Sequence, residues 1–122
     1  MADLRLSTAA EADIVRLLAY IQEQFGDVAR RRYEALLATG LADIAALPDR
    51  PGSVPRPELG PWVCSYHLRY SRERARTAYG VVHRPRHLLL YRVIRSDLIG
   101  VGRVLHDGIE LERHLLAQYD DE

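Results

Sequence analysis

HLLLYRVIRSDLIGVGRVLH, residues 87–106, holds two short apolar runs, 88–94 and 99–105, rich in Leu, Ile and Val. Arg95-Ser96-Asp97-Leu98 between them has the length and polarity of a hairpin turn. Strand alternation puts Leu88, Leu90, Arg92 and Ile94 on one face and Leu89, Tyr91 and Val93 on the other. In the second run Ile99, Val101, Arg103 and Leu105 share a face, opposite Gly100, Gly102, Val104 and His106. Each run plants one arginine in an otherwise apolar row. An arginine in such a row needs a sheet edge, a partner or a groove, so what surrounds Arg92 and Arg103 bears directly on function.

The rest of the chain supplies layers for this hairpin. Leu4-Arg5-Leu6 alternates as a short first strand. Thr8-Ala9-Ala10-Glu11 fits a capping box, and Ile14, Leu17, Leu18, Ile21 and Phe25 follow at helical spacing. Gly26 stops that helix, and Asp27 is placed to cap a second one. The inner stripe of the second helix is Tyr33, Leu36, Leu37, Leu41, Ile44 and Leu47, and Pro48 ends it. Gly40 either weakens this helix or lets a neighbour approach closely. Residues 48–61 carry five of the six prolines and read as a stiff loop. Alternation resumes over 62–70 as a strand, with Trp62 and Tyr66 as packing residues or, at an interface, partner contacts. The arginine-rich stretch 71–86 is a long excursion, with Val81-Val82 able to extend the next strand. After His106, Asp107 can cap a closing helix bearing Ile109, Leu111, His114 and Leu115. The order β-α-α-β-β-β-α predicts a two-layer α+β fold, a helix hairpin on a mostly antiparallel four-stranded sheet.

At 122 residues the chain fits one domain, 1–122. A single cysteine, Cys64, excludes an internal disulfide framework, and no run suits a bilayer span or a secretory signal; a cytoplasmic location is expected. The formal charge of zero hides segregation: −2 over 1–61, +7 over 62–106 and −5 over 107–122. A basic middle invites an acidic partner, which could be nucleic acid, another protein's acidic segment or this chain's own tail. All seventeen basic residues are arginine, which removes any chemistry that requires lysine.

The opening RLSTAAEADI, the helix pair, the ELGP loop, LLYRV, and GRVLHD with the acidic-leucine stretch ELERHL behind it resemble, as an ordered set, the ParE toxins of the RelE/ParE superfamily. The resemblance implies a toxin of a type II toxin–antitoxin pair, held inactive by a ParD-like, ribbon-helix-helix antitoxin. It implies DNA gyrase as the target, by binding. RelE members of the superfamily instead cut mRNA on the ribosome, and a third possibility is an inactive toxin that serves only in the antitoxin–repressor complex. Two departures stand out: 71–86 is longer and more basic than the usual connection, and the lysines of many RNA-cutting members are absent.

Five arginines, Arg69, Arg84, Arg86, Arg92 and Arg103, are the candidates for binding antitoxin or target. Arg92 and Arg103 could equally pair with the chain's own acids, such as Glu110 or Glu112. For RNA cleavage His106 would be the acid or base, with Tyr91, Arg92 and Arg103 around the phosphate. The other reading of His106 is structural, its ring bonding backbone near the final helix. Cys64, His67, His83 and His87 have zinc-like spacing, but strand positions three apart point to opposite faces, so no metal is expected. No cofactor is expected either.

Overall fold

The computed structural model describes residues 1–108. Seven main elements run β1 Asp3–Leu6, α1 Thr8–Phe25, α2 Asp27–Ala46, β2 Ser53–Pro55, β3 Val63–His67, β4 His87–Arg95 and β5 Leu98–His106. The strands form one sheet in the order β1-β5-β4-β3-β2. β1 lies parallel to β5, and the other pairs are antiparallel. The α1–α2 hairpin packs on one face, giving the two-layer α+β arrangement. The expected closing helix, with Glu110 and Glu112, lies outside the described residues.

The sheet has five strands, not four. The extra strand is β2, inside the proline-rich segment read as a loop. Three residues ending in Pro55 leave no alternation to detect, and proline is tolerated because β2 is an edge. β3 is shorter than expected, since Leu68–Ser71 winds into a 3-10 turn. Nor do Val81 and Val82 extend β4, which begins at His87. The excursion 71–86 is folded back on the helices. A second 3-10 turn covers Glu73–Ala75, and Arg72 Nε donates to the Val82 carbonyl at 2.8 Å.

The central hairpin departs from simple alternation at one residue. Leu90 faces Arg103 and Tyr91 faces Val101, so Gly102 is an unpaired bulge. The bulge flips the remaining positions. Ile99, Val101 and Val104 enter the core under the helices, with Leu89, Tyr91 and Tyr66. Leu105 joins the opposite face with Leu59, Val63, Leu88 and Leu90. The expected row of Ile99, Val101, Arg103 and Leu105 is therefore broken.

The helix ends also differ by a residue. Ser7, not Thr8, caps α1: its hydroxyl accepts from the Ala10 N–H at 2.9 Å and donates to the Gly102 carbonyl at 2.7 Å. The cap thereby ties the helix start to the bulge. Gly26, at φ 93°, makes the turn between helices, and Asp27 is the first residue of α2 rather than its cap. Gly40 serves close approach, for a Cβ there would lie 2.4 Å from Leu68 Cδ2. Of the two aromatics read together, Tyr66 is fully buried, whereas Trp62 is 76% exposed and carries a positive φ of 66°.

A buried polar node fixes α2 against the turn after β3. Asp43, on the buried face of α2, accepts from Ser71 Oγ at 2.6 Å, and Ser71 Oγ is 2.8 Å from the Tyr66 hydroxyl. Arg74 reaches the same carboxylate at 2.9 Å and Arg50 at 3.5 Å. Loss of this carboxylate leaves buried Ser71 without its acceptor and Arg50 without its counter-charge. Asp43→Ala should therefore lower unfolding free energy by about 2–4 kcal/mol, measured by urea denaturation. A loss under 1 kcal/mol would show the node to be dispensable.

Candidate functional site

A groove of about 910 Å³ lies between α1, the start of α2, residues 81–86 and the end of β5. Its apolar side comes from the α1 stripe, Leu17, Tyr20, Ile21 and Phe25, continued by Ala29, Val81 and Val82. Helical spacing makes one face of α1 dip into the core while its C-terminal half stays open. Phe25 is 68% exposed and Tyr20 58%, and their rings meet edge-on at 6.4 Å. Exposed aromatics beside a groove favour a macromolecular partner.

The polar side is cationic. Among the described residues, Arg16, Arg32, Arg84, Arg86 and Arg103 line the groove against one carboxylate, Asp13. That carboxylate is already used. Arg103 holds it in a two-pronged contact, Nε to Oδ2 at 2.7 Å and Nη2 to Oδ1 at 3.0 Å. The Val104 N–H donates to Oδ2 at 2.9 Å, and Arg16 reaches Oδ1 at 3.0 Å. Burial works against the Asp13 charge, but the Arg103 bond, the Val104 N–H and the two guanidinium charges outweigh it and hold its pKa below the usual carboxylate value.

At the end of β5 the groove carries a set of ring and acid side chains. The Arg86 N–H donates to the Tyr33 hydroxyl at 3.1 Å, and that hydroxyl lies 2.8 Å from His87 Nδ1. Burial raises the Tyr33 pKa, so the hydroxyl keeps its proton. The His87 and His106 rings meet edge to face at 5.2 Å. Burial first, then the His106 ring, push His87 down to about 4. Asp107 clamps this end: its carboxylate takes His67 Nε2 at 2.8 Å and Arg86 Nε at 2.9 Å. Burial opposes the Asp107 charge, and those two partners more than compensate, holding its pKa low. His67 Nδ1 accepts from the Arg69 N–H, so its proton sits on Nε2.

The five candidate arginines divide. Arg84, Arg86 and Arg103 line the groove, while Arg69 and Arg92 do not. Arg69 stacks on Tyr70 at 4.8 Å, and exposed Arg92 lies near the hairpin turn, opposite Gly100 and Val63. Nor are the four residues cast for RNA cleavage gathered. Tyr91 is fully buried and donates to the Pro48 carbonyl. Arg92 is at the other end of the hairpin, and only Arg103 and His106 share the groove. His106 Nδ1 accepts the Gly108 N–H at 2.9 Å. Among the described residues no group of three or more His, Cys, Asp or Glu side chains is placed to hold a metal.

Asp13 was not among the sequence candidates, although a signal existed. It stands four residues before Leu17 and eight before Ile21, a carboxylate on the buried stripe of α1. Such a residue calls for a cation within reach, and half-buried Arg103 supplies it.

Comparison with protein families gives one match, to the model described as the ParE toxin of the type II toxin-antitoxin system, parDE, over residues 4–110. The chain belongs to the ParE toxin family. No curated protein matches it. As a ParE-family member it is the toxin of a type II toxin–antitoxin pair, with an antitoxin as its partner. No helix among the described residues is long and apolar enough to cross a membrane.

The His87 environment sets a pH dependence on stability in this ParE-family fold. Its pKa is about 4 folded against 6.5 for the free group, so between those values the unfolded chain binds a proton that the folded chain refuses. Stability is complete above pH 6.5 and falls as pH drops toward 4. Allowing for solvent screening of a partly exposed ring, the loss should be on the order of 1–3 kcal/mol. Thermal unfolding from pH 7.5 to 4.5 should show this decline, and His87→Gln should flatten it. An equal slope in both proteins would place the titration elsewhere.

Proposed function

We propose that this toxin acts by binding: the groove takes the tail of a ParD-like antitoxin, and the toxin freed of it inhibits DNA gyrase. One observation carries the antitoxin half. An apolar trough along α1 is rimmed by five arginines, and Asp13, the carboxylate among its described lining residues, is neutralised by its own partners. Such a surface suits an amphipathic segment with leucine-type side chains on one side and acids on the other. β1 pairs only with Leu98, Ile99, Gly100 and Val101, so among the described residues no strand borders β5 at the groove. The target half rests on the family and on the dispersal of the four residues cast for cleavage, of which only Arg103 and His106 reach the groove.

Two measurements test this. Tyr20→Ala with Phe25→Ala removes exposed rings without opening the core. The pair should weaken antitoxin binding about 10- to 100-fold, read by calorimetry. Arg84→Glu should weaken it further at low salt than at high salt. Unchanged affinity in both would move the antitoxin off the groove. On induction in cells, filamentation with a DNA-damage response is expected. Rapid translation arrest with cleaved transcripts would point to an mRNA endonuclease instead.

A further inference from the structure

The β5 end of the groove holds two imidazoles in direct contact. His87 and His106 face each other across the β4–β5 ladder, and their rings meet edge to face at 5.2 Å. Tyr33 on α2 adds a third ring, edge-on to His87 at 5.4 Å. All three residues line the groove. Asp107 lies 3.9 Å from His106 Nδ1, and that nitrogen already accepts the Gly108 N–H at 2.9 Å. A neutral His106 ring therefore carries its proton on Nε2.

The charged groups around the two rings are mostly cations. Arg86, on the 81–86 segment, and His67, on β3, both bind Asp107, at 2.9 and 2.8 Å. From α2 come the Tyr33 hydroxyl, 2.8 Å from His87 Nδ1, and Arg32, bonded to the Tyr79 carbonyl. β5 contributes Arg103, and α1 contributes Asp13, which Arg103 and Arg16 share. His83 and Arg84 stand in the same wall. A proton added to either ring thus enters a cationic neighbourhood whose described carboxylates already have partners. Burial and then the His106 ring hold His87 down to about 4, so at neutral pH the free toxin leaves it uncharged.

Resting on the groove as the seat of an acidic antitoxin segment, we infer that the segment is gripped with proton uptake by His87 and His106. A carboxylate entering this end supplies the counter-charge that the two rings lack. An opposite charge within about 4–6 Å favours the protonated imidazole. The complex then holds more protons than toxin and antitoxin apart, and by reciprocity a proton favours the complex. Affinity therefore rises as pH falls from 7.5 to 5.5, a window above the ordinary carboxylate range. A groove that relied on apolar contact and arginine alone would bind equally well across that window, because guanidinium charge is permanent.

Calorimetric titration of the toxin with its cognate antitoxin at pH 6, in buffers of different ionisation enthalpy, counts the protons taken up. The wild type should take up about half a proton or more per complex and gain about three- to tenfold in affinity from pH 7.5 to 5.5. His87→Gln with His106→Gln should flatten both, with the melting temperature at pH 7.5 checking the fold. If the double variant melts early, His106→Gln alone decides, since this ring is 42% exposed; unchanged uptake there overturns the inference. So does zero uptake in the wild type, or uptake that survives in the double variant. The Tyr20→Ala, Phe25→Ala protein separates this inference from the reading beneath it. Normal antitoxin binding by that protein empties the groove of its partner, and both fail together. Weakened binding there, with no proton uptake by the wild type, sinks this inference alone.

Discussion

Asp13 and Arg103 form the joint on which the two layers hang. The carboxylate on α1 takes both prongs of a guanidinium from β5 and, with the same oxygen, the Val104 N–H. Six residues earlier Ser7 caps the same helix and bonds the Gly102 carbonyl. These contacts meet at the bulge, where β5 exposes backbone groups that no strand satisfies. A buried ion pair contributes little net stability over an apolar one, since desolvation offsets much of the attraction. Its contribution here is placement. The carboxylate can accept all these donors only when α1 lies at one height along β5, and that height leaves the C-terminal half of the helix standing over an open trough.

The same joint sets the charge of the groove. With Asp13 shared between Arg103 and Arg16, and Arg86 held by Asp107, the wall keeps a surplus of guanidinium charge over carboxylate among the described residues. At its far end Asp107 binds His67 and Arg86, closing β5 against β3 and the 81–86 segment. His87 stays neutral beneath them, hydrogen-bonded to the Tyr33 hydroxyl. A cationic rim beside an apolar wall suits a partner that is drawn by charge first and held by apolar burial second.

Local signals carried the helices and the central hairpin. The 14-17-18-21 stripe, Gly26, and the two apolar runs about Ser96-Asp97 each sit within one element, where periodicity operates. What escaped involved distant residues or very short ones. Alternation cannot show that Gly102 is unpaired, because a bulge is defined by the facing strand. The cap fell to Ser7 rather than Thr8 because Gly102, 95 residues away, gives the Ser7 hydroxyl a second partner. β2 left no pattern in three residues. Of the candidate site, the arginines were legible as a basic cluster, but their division between groove and far surface depended on where α1 docks. The exposure of Trp62 was not legible, since an aromatic before a buried valine reads as core.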